Sequence, residues 1–344
     1  MKKWTDSPLR DPVRFVLMQE LGAKGRLALL AAMTAVCFAA VMVLMAAMQG
    51  VVVVALTGAA CAAVLMGFIF HAFGRDAQSG RVSVIVLLCM GALSVLAVGA
   101  HISLLDIAPG RYANVLDPML YDMWNYDLLS AMAWEEGSWS GLYLIVCALF
   151  SRLETFPALY AFKLFDLVCQ CLAAGAVLRL ARLRGASVYG AVAGAFACVL
   201  TPTMLMNAGV WAQCDATFAM FTLWGLALLL EDHPLAGCVL WGLALSAKLQ
   251  SAFLFPLLIV MFMDRKVALR HILALMAAAL VCHAAILIDG QGLTGVITRY
   301  AGQLEEARWG EVGLADHAPG VYSLMVVASV REFSGMGLYL GIVA

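Results

Sequence analysis

Apolar residues run in long blocks along this chain rather than in an amphipathic alternation. The stretches 27–48, 51–73, 82–105, 157–178, 188–206, 215–230 and 270–288 are strongly apolar and carry few charges. A spanning helix needs roughly 20 mostly apolar residues, so each is predicted to cross a membrane. Apolar runs at 139–151, 234–247 and 251–263 are shorter; at about 1.5 Å per residue they fall short of a roughly 30 Å hydrocarbon core. The pair 234–247 and 251–263 is read as two short helices forming a hairpin, with Lys248 and Gln250 at its turn inside the membrane. A single helix kinked at Pro256 would instead carry Arg265, Lys266 and Arg270 to the outer side. The run 139–151 is predicted to lie in, or dip into, the outer interface.

Composition agrees with a polytopic, all-α membrane bundle. The 344 residues are 64% apolar and 12% charged, with a mean hydropathy of +0.94, outside the range of a soluble core. A net charge of −1 without a basic run excludes nucleic acid as a partner. Basic residues cluster in the tail (Lys2, Lys3, Arg10, Arg14, Lys24, Arg26), at Arg75 and Arg81, at Arg179, Arg182 and Arg184, and at Arg265, Lys266 and Arg270, together most of the 21. Since such residues stay cytoplasmic, the amino terminus is placed inside and the acidic connections 106–138 and 289–318 outside. The organisation read from this is a cytoplasmic tail (1–26), three membrane helices (27–105), a first outer loop with short interfacial helices (106–156), a central membrane block with the hairpin near 234–263 (157–288), a second outer loop (289–318) and an incomplete membrane segment (319–344), which implies that the sequence is a piece of a longer chain. The ten cysteines lack metal or redox spacing and are read as packing residues.

Candidate chemistry gathers at the outer side. Asp106, Asp117, Asp122, Asp127, Glu135 and Glu136 share the first outer loop with Tyr112, Tyr121, Trp124, Tyr126, Trp134 and Trp139; hydrated charges and an interfacial aromatic belt explain them as well as a sugar site does. Asp215 opens a helix after the polar stretch Asn207–Asp215, as a cap or as a site component. A lysine at bilayer depth costs at least about 2.5–3.5 kcal/mol, so Lys163 and Lys248 need reasons. Lys163 has Asp166 three residues on as a partner, or snorkels outward. Lys248 has no neighbouring acid, and a lipid phosphate or a distant carboxylate is its expected partner. Arg299 and Arg308 suit either phosphate or ion pairs with Glu305 or Glu311. His271 and His283 are read as packing or interfacial residues, and no metal constellation is evident.

Several of these pieces resemble a known family. Thr201-Pro202, Asn207, Trp211-Ala212-Gln213-Cys214-Asp215, then Lys248-Leu249-Gln250 and Pro256 are similar to the P-T…N-S…W-G-Q-C-D and K-x-Q…P pattern of GT-C membrane glycosyltransferases. The nearest group is the bacterial relatives of the mannosyltransferase that adds the second mannose to GPI anchors. Tyr160, Lys163, Leu164 and Asp166 resemble its Y-x-x-K-L…D helix, and Leu314, Ala318, Pro319 and Tyr322 an L-x-x-N-A-P-x-x-Y stretch. The likeness covers 105–325. It implies a GT-C-like fold, a bacterial cytoplasmic (inner) membrane, a polyprenyl-phosphate sugar donor without a separate cofactor or metal, a glycan or lipid acceptor, and inverting transfer of a hexose such as mannose outside the membrane. Lys248, with Lys163 and Arg111, is the implied phosphate holder, and Trp211, Gln213, Asp215, Gln250, Asn207, Tyr112 and His317 are the implied substrate contacts. Arg111 stands where the family has its catalytic aspartate, His317 where it has asparagine and Ala212 where it has glycine. Asp106 and Asp117 are therefore the candidate bases. A lipid flippase or transporter, or a non-catalytic relative, are the other readings.

Overall fold

The structure, a computed structural model, describes residues 50–75, 84–110 and 112–309. The expected tail and first span, Arg111, His317 and the segment 319–344 lie outside the described residues. Among those described there is no strand. The helices are α1 (Val51–Arg75), α2 (Val84–Ile102), α3 (Asp117–Trp124), α4 (Leu128–Met132), α5 (Gly141–Phe150), α6 (Ala158–Leu183), α7 (Val188–Leu200), α8 (Asp215–Leu230), α9 (Pro234–Ala247), α10 (Phe255–Met263), α11 (Leu269–Cys282), α12 (Ala284–Ile288) and α13 (Gly292–Trp309). Among the described residues three stretches are long and apolar enough to cross a membrane: Val51–Phe73, Ala158–Leu183 and Val188–Val210. The expected spans 215–230 and 270–288 correspond to shorter apolar helices, α8 with 16 residues and α11 with 14. The second is cut at His283. Its Nδ1 faces the Ala279 carbonyl at 2.8 Å and its Nε2 accepts from the Gly141 N–H at 3.1 Å.

Helix α8 packs against both α6 and α9, and α9 against α11. Small residues let these helices approach closely, the usual device where lipid removes the hydrophobic drive between helices. A Cβ at Gly242 of α9 would collide with the Leu275 carbonyl of α11. Gly242→Ala is therefore expected to cost about 1–3 kcal/mol through overpacking, read as a lowered melting temperature. Outward, Val260, Met263, Leu273 and Val281 are exposed; apolar residues pointing away from the bundle are what a lipid-facing surface requires. These apolar helices support membrane association.

Helix α9 stops at Ala247 because Lys248 is extended (φ −158°, ψ 136°). A tight 3₁₀ turn, Leu249–Leu254, then leads into α10, whose Leu258 and Met261 join the cluster of Leu229, Cys238 and Trp241. The 248–254 turn, the start of α8 and the segment 103–116 thus share one loop-rich end of the bundle. At the opposite end Arg179 pairs with Glu231 at 2.6 Å.

Helix α5 forms most of the run 139–151. Tyr143, Leu144, Val146, Cys147, Ala148 and Phe150 are all buried, in one cluster with Tyr112, Leu116, Met123 and Phe162. Most of its apolar side chains are thus covered by protein. At the exposed start of α4, Asp127 caps the helix by accepting from the N–H groups of Leu129 and Ser130. These bonds and the Ser130 hydroxyl hold its carboxyl below the usual range, so its stabilising effect is present above its unfolded pKa and lost as pH falls through the folded one.

Candidate functional site

After α7 the chain leaves regular geometry. Thr201 is extended and Pro202 starts a single turn, which widens into a π-turn over Leu205–Val210. Trp211 and Ala212 then lead to Asp215. Ala212 is fully buried and has φ of 51°, a left-handed conformation that a Cβ disfavours. That backbone explains the glycine of the resembling pattern at this position. Ala212→Gly is expected to leave stability within about 1 kcal/mol, while Ala212→Val costs more than about 2 kcal/mol in thermal unfolding.

This irregular segment delivers Asn207 and Asp215 to Lys248. Lys248 Nζ pairs with Asp215 Oδ1, and Asn207 Nδ2 donates to Asp215 Oδ2 at 2.7 Å. The same Asn207 amide lies 3.5 Å from Gln213 Oε1, and the Lys248 ammonium is 5.8 Å from the Phe218 ring centroid. Both members of the pair stay open, with 27% and 30% of their side chains accessible. Asp215 makes no side-chain cap; its oxygens are taken by the lysine and the asparagine, although its position in the first turn still favours its charge. The distant carboxylate expected for Lys248 is thus Asp215. Trp211 is half-buried and Gln250 exposed on the 3₁₀ turn.

The other cations at this end have different tasks. Lys163 does not pair with Asp166: its ammonium donates to the carbonyls of Leu104, Leu105 and Ile107 at 2.6, 3.1 and 2.6 Å. With its ammonium donating to three carbonyls, Lys163 clamps the start of the first loop. Arg299 is 6% exposed. Its guanidinium donates to the Ala133 carbonyl at 3.0 Å, to the Trp134 carbonyl, to Gln291 Oε1 at 2.7 Å and to the Gly295 carbonyl at 3.1 Å. Burial pushes its pKa down and Glu135 pushes it back up. Arg152, which sequence reading passed over, does the same for the end of α3, donating to the carbonyls of Met123, Trp124 and Tyr126. Cations at helix ends satisfy carbonyls that have no intrahelical donor.

Gln303 and Tyr300 were also missed. Gln303 accepts from the Leu249 N–H at 3.3 Å and donates to the Ser138 carbonyl at 2.7 Å and to Ser140 Oγ at 2.9 Å. The Tyr300 hydroxyl donates to the Leu245 carbonyl at 3.1 Å. Helix α13 thereby ties the first loop to the turn that carries Lys248. A helical spacing of Arg299, Tyr300 and Gln303 on one polar helix was the available signal.

The candidate bases are both exposed. Asp106 accepts from the Tyr160 hydroxyl and Asp117 from that of Tyr112 at 3.2 Å. Burial first, then the Asp117 charge, raises the Tyr112 pKa, so the phenol remains a donor and its carboxylate partner an acceptor. No family model, curated protein or solved structure matches the chain.

Proposed function

We propose that this protein is a membrane glycosyltransferase of the GT-C kind, moving a hexose such as mannose from a polyprenyl-phosphate donor to a hydroxyl of a glycan or lipid acceptor. The observation that carries the proposal is the contrast among cations. Lys163, Arg152 and Arg299 are spent on backbone carbonyls, whereas Lys248 has a side-chain carboxylate partner and an open surface. A donor phosphate can replace Asp215 on the ammonium, while Asn207 keeps hold of the displaced carboxylate. Asp106 or Asp117 takes the proton from the acceptor hydroxyl, which attacks the anomeric carbon with inversion. The phosphate leaves as a stable anion, so no acid has to protonate it, and a cation beside the leaving oxygen supplies electrostatic stabilisation. In this reading the loop-rich end faces outward from a bacterial cytoplasmic membrane, with the amino terminus inside.

Incubating purified full-length protein with radiolabelled polyprenyl-phosphate mannose or glucose tests the proposal. Asp106→Asn or Asp117→Asn is expected to lower transfer by about 10²–10⁴-fold, whichever is the base. Unchanged transfer in both variants removes both candidates. Movement of the labelled lipid across vesicles without bond formation would favour a flippase instead, a role to which ionisable groups at membrane depth such as Asp166 are suited.

A further inference from the structure

Three side-chain acceptors are buried beside the irregular turn after α7 with no donor facing them: Asp166 Oδ2, Gln170 Oε1 and His101 Nδ1. Their residues are 1%, 0% and 3% exposed. The Gln170 amide donates to the Met204 carbonyl at 2.9 Å, which fixes its oxygen as the unpaired end. His101 Nε2 lies 3.1 Å from the Val199 carbonyl; a carbonyl only accepts, so this nitrogen carries the hydrogen and Nδ1 presents a lone pair. Asp166 and Gln170 are four residues apart on α6 and occupy successive turns of one face. Unpaired acceptors at this depth each cost free energy comparable to a lost hydrogen bond.

Charge points the same way. Asp106 acts electrostatically on Lys163, and Lys248 is held by Asp215. Asp166 interacts with Asp215 and Lys248, and the neighbouring Cys169 senses Asp166. Asp166 is thus buried within electrostatic reach of the Asp215–Lys248 pair, and a second carboxylate charge beside it is costly.

We propose that Asp166 Oδ2 and Gln170 Oε1 together hold a single positive charge, either a proton shared between the two oxygens or a sodium-sized cation. The ligand set is made of hard oxygens, and among the described residues there is no group of three His, Cys, Asp or Glu side chains suited to a transition metal. This charge site does not depend on the transfer reaction. It neutralises Asp166, so that Lys248 is not divided between two carboxylates.

Thermal unfolding of the purified full-length protein in detergent tests it along two axes: sodium chloride against choline chloride at constant ionic strength, and pH 8 to pH 5 without sodium. A ligand bound only by the folded state raises the melting temperature, here by about 3 °C or more. A rise with sodium identifies the cation; a rise only as pH falls identifies the proton, since a folded state that binds the extra proton gains stability in acid. Asp166→Asn replaces one acceptor oxygen by an amide donor and removes the charge, so its melting temperature is expected to be flat on the responding axis. Where that variant does not fold, Gln170→Leu is expected to move the response by about tenfold in ligand concentration, or about one pH unit. A wild-type protein that is flat on both axes, or a variant whose response matches the wild type, overturns the proposal.

Discussion

Lys248→Ala is expected to reduce transfer from a polyprenyl-phosphate sugar by at least about 100-fold while leaving the bundle folded. In the proposed reaction Lys248 faces the leaving phosphate, and one preorganised electrostatic contact of that kind is worth roughly 10²–10³ in rate. The modest effect on folding follows from the geometry. Lys248 and Asp215 retain 27% and 30% of their side-chain exposure, and partly solvated pairs contribute about 0–1 kcal/mol. Asp215 also keeps the Asn207 amide when the lysine is gone. Lys248→Arg restores the charge but not the compact ammonium on its flexible stem, so partial recovery is expected. The two measurements are initial rates of label transfer and the melting temperature of the same preparations. Full transfer by Lys248→Ala would separate this residue from the chemistry altogether.

Arg299→Ala has the opposite signature, a large loss of stability with any fall in rate following from it. Its guanidinium bridges α13 to the end of α4 through the Ala133 and Trp134 carbonyls and also holds Gln291, whose own amide donates to the Ala133 carbonyl at 2.6 Å. Truncation takes the charged donor from the Trp134 carbonyl and from Gln291 Oε1, while the Ala133 carbonyl keeps the Gln291 amide. The expected cost is about 2–3 kcal/mol, the range for losing hydrogen bonds to a charged group. Arg299→Lys keeps the charge but not the planar fork that spans these acceptors, and is expected to recover less than half of that loss. Thermal unfolding measures both variants, and limited proteolysis of the first loop gives an independent reading. A melting temperature within about 1 °C of the wild type would show that the clamp carries no weight.

The behaviour of Lys163 and α5 marks the limit of reading in one dimension. Lys163 in an apolar helix calls for a partner, and Asp166 stands at the right spacing for one. The structure spends the ammonium on three carbonyls of the first loop, nearly sixty residues away. Backbone carbonyls occur at every position and leave no trace in residue identity, so their choice as partners is invisible in the sequence; the same holds for Arg152 and Arg299. Helix α5 has the apolar composition of an interfacial segment, and only its neighbours reveal that protein covers it.

What the sequence alone determined is the helical, membrane-associated character of the chain. Its apolar block lengths are a direct consequence of hydrocarbon thickness and backbone hydrogen bonding. It also singled out Lys248, because a cation at such depth is costly enough to be conspicuous, and Asp215, because it opens a helix after a polar stretch that includes Asn207. Tertiary structure alone decided which of the cations remains open to a ligand. That outcome depends on which carbonyls and carboxylates the packing of α6, α8 and α9 brings within about 3 Å of each ammonium or guanidinium, and contacts between distant segments are fixed by packing rather than by spacing along the chain.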